Sequence, residues 1–172
     1  MNIFLVGMMG TGKSSVGKLL ARELLIDFID TDNEIESKTG MSIEKIFEER
    51  GESYFRMLEK ELVQKILLRN KVAVVSSGGG LCIQPGMMKL LKKQGWVVCL
   101  WASPECIFAR IQNDSTRPLL RVPNPLAEIK EIIQSRKNKY RDADYIIETD
   151  NHSPNEISSQ IKEEYLKQLG KS

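Results

Sequence analysis

Gly7-Met8-Met9-Gly10-Thr11-Gly12-Lys13-Ser14 is the stretch on which the fold of this chain turns. It fits G-x-x-x-x-G-K-[ST], and its context suits that pattern. The apolar run Ile3-Phe4-Leu5-Val6 precedes it as a strand, and Val16, Leu19, Leu20 and Leu24 follow at helical spacing. Glycines let such a loop take turns barred to other residues and bring backbone N–H groups against phosphate oxygens. The helix N-terminus adds partial positive charge. Lys13 is then expected to reach the β- and γ-phosphates, and the Ser14 hydroxyl to ligate Mg²⁺. Gly10, Thr11, Gly12 and Ser15 complete the expected nucleotide cradle. An ordinary glycine-rich turn is the bland alternative, made weaker by the strand before it and the helix after it.

Outward from this loop the chain alternates short β-rich runs with longer amphipathic stretches. Strands are expected at 2–6, 27–30, 72–76, 97–101 and 145–148, each nearly continuously apolar, as for strands covered on both faces. Helical spacing recurs in Phe55, Leu58, Leu62 and Ile66, and again in Ile129, Ile132, Ile133 and Tyr140. Ser153-Pro154-Asn155-Glu156 reads as a cap, a Pro at the first helical position and a Glu at the third, opening a last helix. The pattern implies an α/β fold, a three-layer α/β/α arrangement on a five-stranded parallel sheet with right-handed crossovers. Ligands of such sheets sit beyond the carboxyl ends of the strands. Two stretches break the alternation. Residues 33–70 are long enough for a helical substrate-binding region, and 113–125, rich in Pro, polar residues and Arg, reads as a mobile lid.

Composition narrows the function classes. The 172 residues suit one domain, and 41% apolar content with mixed charge describes a folded chain. A net charge of +2 gives no surplus for nucleic acid or an anionic membrane. Met1-Asn2 runs directly into the apolar Ile3-Phe4-Leu5-Val6, so no secretory leader is expected, and the other apolar runs are too short to span a bilayer. Three cysteines without CxxC spacing suggest neither a disulfide framework nor a zinc site. The expectation is one cytoplasmic domain over 1–172, acting as a monomer on small molecules, with no nucleic-acid or membrane partner.

Phe28-Ile29-Asp30-Thr31-Asp32 brings two acids to the end of the second strand. Residues two apart on a strand share a face, so both carboxylates could serve one site, one supporting a metal and one orienting an attacking hydroxyl. Thr31-Asp32-Asn33-Glu34 also matches a capping box with Thr31 as cap, a reading that does not require Asp30. Arg136 falls on the inward stripe of its helix, where it needs an anion, either a protein carboxylate or a ligand's. Arg56 lies four residues after Glu52 and three before Glu59, so an intrahelical ion pair accounts for it equally well. Gly78-Gly79-Gly80 follows the third strand and implies close backbone approach, with a plain loop as the alternative. Arg117 and Arg121 are either solvated loop residues or contributors of positive charge to a transition state. His152, the sole histidine, stands just before a helix cap and reads as a surface loop residue, so neither a triad nor a His-based metal site is expected.

Taken in order, these residues resemble the shikimate kinase family. The resemblance rests on Gly7 to Ser14, Asp30-Thr31-Asp32, Phe55-Arg56 after Gly51-Glu52, the glycine triplet, Arg117-Pro118-Leu119-Leu120, and Arg136 with Tyr140 ahead of Ala143-Asp144. It implies a P-loop kinase fold with a substrate-binding helical region over about 33–61 and a lid over about 113–125. It also implies transfer of the γ-phosphate of MgATP to the 3-hydroxyl of shikimate. By that resemblance Ser14 and Asp30 serve the metal, while Asp32 binds ring hydroxyls and orients or deprotonates the acceptor. Arg56 and Arg136 hold the carboxylate, Gly78, Gly79 and Gly80 touch the ring, Arg117 closes on the phosphates, and Arg110 and His152 lie near the adenine. Ser15, where many members carry Thr, and the bulky Met8-Met9 pair depart mildly from the pattern. A gluconate-type kinase and a non-catalytic nucleotide-binding module remain the competing functions.

Overall fold

The computed structural model describes residues 1–113 and 122–170. The strands are β1 (Asn2–Val6), β2 (Asp27–Asp30), β3 (Ala73–Ser76), β4 (Gly95–Trp101) and β5 (Tyr145–Glu148). They form one parallel sheet in the order β2-β3-β1-β4-β5. Among the described residues the helices are α1 (Lys13–Leu24), α2 (Thr31–Thr39), α3 (Ile43–Leu67), α4 (Met87–Gln94), α5 (Pro104–Ile111), α6 (Pro125–Arg141) and α7 (Pro154–Leu169). The expected α/β class and parallel sheet are both present. β3 starts one residue later than expected, with Val72 left half-exposed before it, and β4 starts two residues earlier.

Strand alternation builds a core on each side of the sheet. Ile3 and Leu5 face α1 and α7 with Val74, Val98 and Leu100, where Val16, Leu20, Ile157 and Ile161 meet them. Phe4 and Val6 face the other way with Val75, Val97 and Cys99, against Val63, Leu91, Ile107, Ile129 and Tyr140. Each fully buried Val, Leu or Ile contributes about 1.5–3 kcal/mol relative to its exposed state. β1 at the centre of the sheet is therefore a rigid base, and the loop leaving it is held from below.

The expected helical insertion over 33–70 is present as α2 and α3, packed through Ile35, Ile46, Phe55 and Leu58. α3 kinks at Gly51, where φ is 80° and ψ 170°. The box that starts α7 is also as expected: Ser153 accepts from the Glu156 N–H, and the Glu156 carboxylate accepts from the Ser153 N–H.

Candidate active site

The loop between β1 and α1 turns on glycines at positive φ, Gly7 at 137°, Gly10 at 77° and Gly12 at 93°. A side chain at Gly7 would collide with the backbone carbonyl of Leu100 on β4. Gly12 is the N-cap of α1. No side chain caps this helix, and no acidic residue stands in its first turn. The positive end of α1 is thus left for an anion. Thr11 is buried and donates from Oγ1 to the Met8 carbonyl at 2.8 Å, holding the loop.

Lys13 folds back into the loop, where its Nζ donates to the carbonyls of Gly7 at 3.0 Å and Met8 at 2.8 Å. Burial lowers its pKa below the usual lysine value, while the charges of Asp32 and, less strongly, Asp30 pull it back up. Both acids therefore lie within the field of the loop lysine. Ser14 and Ser15 are exposed at the first turn of α1.

The acid pair is built differently from the sequence expectation. Asp30, not Thr31, caps α2: its Oδ1 accepts from the N–H groups of Asp32 at 3.1 Å and Asn33 at 3.4 Å. Its Oδ2 accepts from Ser14 Oγ at 2.6 Å, and that hydroxyl lies 3.3 Å from Ser76 Oγ. Thr31 is the first helical residue and is fully buried, its Oγ1 accepting from the Gly78 N–H at 2.9 Å. Asp32 stands on the first turn of α2 rather than on β2, so strand alternation is not what brings the two acids together. Helix geometry does it instead.

The glycine triplet runs between these groups. Ser77 ties the end of β3 to β1 by donating from both N–H and Oγ to the Leu5 carbonyl, each at 3.0 Å. A Cβ on Gly78 would stand 2.6 Å from Asp32 Oδ1 and 2.9 Å from Glu59 Oε1. One on Gly79 would stand 3.3 Å from the Met9 N, and one on Gly80 would stand 2.6 Å from both terminal nitrogens of Arg56. The plain-loop reading fails here: these positions are glycine because the phosphate loop, an acid and a guanidinium crowd them.

Arg56 pairs with Glu52 at 2.9 Å and Glu59 at 2.7 Å, so the ion pairs the spacing allowed are real. Glu59, however, is 0% exposed, and burial pushes its pKa up to about 6. Gln84 Nε2 donates to the same carboxylate at 2.7 Å. Spacing alone reads Glu59 as a solvated partner on a helix surface. Its burial next to the triplet is a feature the sequence does not signal. Arg136 is half-buried on α6, and among the described residues no carboxylate pairs with it.

At the other side of the loop, Arg110 donates to the Gly10 carbonyl at 3.3 Å, to Thr149 Oγ1 at 2.9 Å and to the Thr149 carbonyl. It links the phosphate loop to the segment after β5. His152 is exposed in that segment. Arg117 and Arg121, with most of the expected lid, lie outside the described residues. An open groove lined by Trp101, Pro104, Lys130, Ile133 and Lys137 contains none of the residues gathered around the loop.

The site thus gathers a phosphate loop, an acid, the buried Glu59 carboxylate with its partly exposed partner Arg56, and a glycine triplet. The family model described as shikimate kinase matches residues 9–166. The chain belongs to the shikimate kinase family. The shikimate kinase of Thermodesulfovibrio yellowstonii is 46% identical over 164 residues, covering 95% of this chain and 94% of that one. That of Caldanaerobacter subterraneus subsp. tengcongensis is 42% identical over 170 residues, 99% of each chain. A solved shikimate kinase from Acinetobacter baumannii in complex with shikimate superposes with a TM-score of 0.91 at 38% identity, covering 97% of this chain and 93% of that one. The five-stranded parallel sheet is therefore that of the shikimate kinases.

Proposed function

We propose that this chain transfers the γ-phosphoryl group of ATP to the 3-hydroxyl of shikimate, giving 3-phosphoshikimate and ADP. The observation that carries the reading is the position of Asp32. Its carboxylate lies over Gly78, is the strongest charge acting on Lys13, and faces the triplet that abuts the phosphate loop. A hydroxyl bound there meets an acid on one side and the phosphate cradle on the other. Phosphoryl transfer requires chiefly such positioning and charge stabilisation.

The roles follow from the geometry and the resemblance together. Gly10 to Ser15 and the N-terminus of α1 bind the phosphates, with Lys13 released from its loop carbonyls to the β- and γ-oxygens. Asp32 orients the acceptor hydroxyl and takes its proton as the bond to phosphorus forms. Arg136 and Arg56 hold the acceptor carboxylate, a task suited to planar guanidinium forks. Arg117 supplies positive charge to the transferring group, and Arg110 with the segment around His152 lies along the adenine.

Ser14, Asp30 and Ser76 offer a cluster of hard oxygens linked by contacts of 2.6 and 3.3 Å, which fits Mg²⁺. Among the described residues no group of three or more His, Cys, Asp or Glu side chains that could hold a metal ion occurs. Mg²⁺ in kinase sites commonly takes most of its ligands from phosphate and water. Ser14 would hold the metal directly and Asp30 would support it. When bound, it neutralises charge on the β- and γ-phosphates. The reading also has the chain acting as a cytoplasmic monomer. Among the described residues no helix is long and apolar enough to cross a membrane.

The experiment is ADP release with MgATP against shikimate, quinate, gluconate and nucleoside monophosphates. Turnover should depend on shikimate. Stronger turnover with gluconate, or none with any acceptor, would reject the assignment.

A further inference from the structure

The last turn of α5 bears directly on the phosphate loop. Arg110 and Ile111 follow Ile107 by three and four residues, so the three side chains share one face of that helix. A Cβ on Gly10 would stand 2.8 Å from Ile111 Cγ2 and 3.3 Å from Ile107 Cγ2, which leaves the loop seated on this turn. Both isoleucines are buried, whereas Arg110 is exposed. An exposed arginine is ordinarily solvated. This one directs its fork to neutral oxygens: Nη1 donates to the Gly10 carbonyl at 3.3 Å and to Thr149 Oγ1 at 2.9 Å, and Nη2 to the Thr149 carbonyl.

Thr149 is a fixed anchor for that fork. It is 0% exposed, and its N–H donates to the Trp101 carbonyl at the end of β4 at 2.7 Å. The next residue, Asp150, accepts from the N–H of Ser103, the N-cap of α5, at 3.0 and 3.2 Å. The segment after β5 therefore grips α5 at both ends, through Asp150 at its start and through Arg110 at its finish.

The group held at the far end is a peptide of the phosphate loop. Among the described residues no peptide bond is cis, so each carbonyl points away from the N–H on the same peptide. Fixing the Gly10 carbonyl toward Arg110 turns the Thr11 N–H the opposite way. Gly10, at φ 77°, offers little resistance of its own to rotation of that peptide. A charged donor on the carbonyl also polarises the peptide and strengthens its N–H as a donor.

We infer that Arg110 and Thr149 form a positioning strut of the phosphate cradle, holding the Gly10–Thr11 peptide so that the Thr11 N–H faces the bound phosphates. This rests on the reading of Gly7 to Ser14 as a phosphate loop. It gives Arg110 a task at the phosphates that is separate from the base, and gives Thr149 one without contact to ATP.

Mg-tripolyphosphate carries the phosphates of ATP and no base, so it separates the two tasks of Arg110. In calorimetry on the whole chain, Arg110→Met should weaken its binding about tenfold, the loss expected from hydrogen bonds with a charged donor. Arg110→Lys keeps the charge without the fork and should still weaken it about fivefold. Thr149→Val removes the hydroxyl and keeps the shape, and should weaken it about threefold, whereas Thr149→Ser should match the wild type. In the Arg110→Met background Thr149→Val should change binding by less than about 1.5-fold, because the strut is already cut. An arginine that serves the base alone would weaken MgADP binding in Arg110→Met and leave tripolyphosphate binding unchanged. Full recovery by Arg110→Lys would reduce the effect to charge. A merely structural Thr149 hydroxyl would lower the melting temperature of Thr149→Val with tripolyphosphate affinity unaltered. Each of these three results overturns the strut. Should Thr149→Val fail to fold, the two variants at the exposed Arg110 decide the matter by the same criteria. A wild type that binds neither MgADP nor Mg-tripolyphosphate would refute the phosphate loop itself, and the strut with it.

Discussion

Gly78→Ala tests the placement of the acceptor-facing acid with a single methyl group. Gly78 lies outside the left-handed region, so alanine can adopt its backbone. The whole effect is steric. The new Cβ would stand 2.6 Å from Asp32 Oδ1, and ordinary contact begins near 3.4 Å, so the carboxylate must retreat by about 0.8 Å. Glu59 Oε1, at 2.9 Å on the neighbouring side, closes one way out. Misplacing a reacting group by about 1 Å costs on the order of 10²-fold in rate. Overpacking of this kind destabilises by about 1–3 kcal/mol, which a domain of this size tolerates. A coupled ADP-release assay at saturating shikimate and MgATP, on protein whose circular dichroism matches the wild type, should find kcat reduced by about 10²-fold. The KM for MgATP should change little. A folded variant with kcat within about threefold of the wild type would show that Asp32 does not present the acceptor.

Gly80→Ala places its methyl 2.6 Å from both terminal nitrogens of Arg56, so it should raise KM for shikimate about tenfold with a smaller loss of kcat, reversing the pattern of Gly78→Ala. Glu59 takes up its proton near pH 6 in the folded chain against 4.5 in an unfolded one, so stability from this group is fully present below 4.5 and is lost as pH rises through 6. Function runs the opposite way: protonation loosens the hold on Arg56, and KM for shikimate should climb as pH falls through about 6. Glu59→Gln should flatten that limb in a KM–pH profile, and an unchanged profile would separate Glu59 from the arginine. Lys13→Met should abolish turnover, by on the order of 10³-fold or more, with the fold intact; near-normal turnover would remove Lys13 from the phosphates.

Much of the fold is legible in the sequence because its signals are local. The glycine pattern of 7–14 dictates its own turn, and apolar runs of four to seven residues mark strands buried on both faces. The Ser153–Glu156 box is written in consecutive residues. What depends on one position of helix phase is less legible. Thr31 and Glu34 satisfy the capping pattern, yet α2 begins one residue earlier, and this makes Asp30 the cap and frees Thr31 to hold Gly78. Glu59 and Tyr140 are hidden for another reason. An i,i+3 pair with Arg56 resembles countless exposed pairs, and a Tyr on an apolar stripe resembles core. Their burial against Gly78 and Gly79 arises from chain segments 19 and 61 residues apart, or more, which no local pattern encodes.

The most direct measurement is ³¹P NMR of the wild-type chain with MgATP and shikimate. ADP and a new phosphate monoester on the 3-oxygen of shikimate should appear in equal amounts, and neither should form when Asp32 is replaced by Asn. Inorganic phosphate in place of the ester, or ester formation undiminished in the Asp32→Asn chain, would contradict a site in which that acid delivers an alcohol to the γ-phosphoryl group.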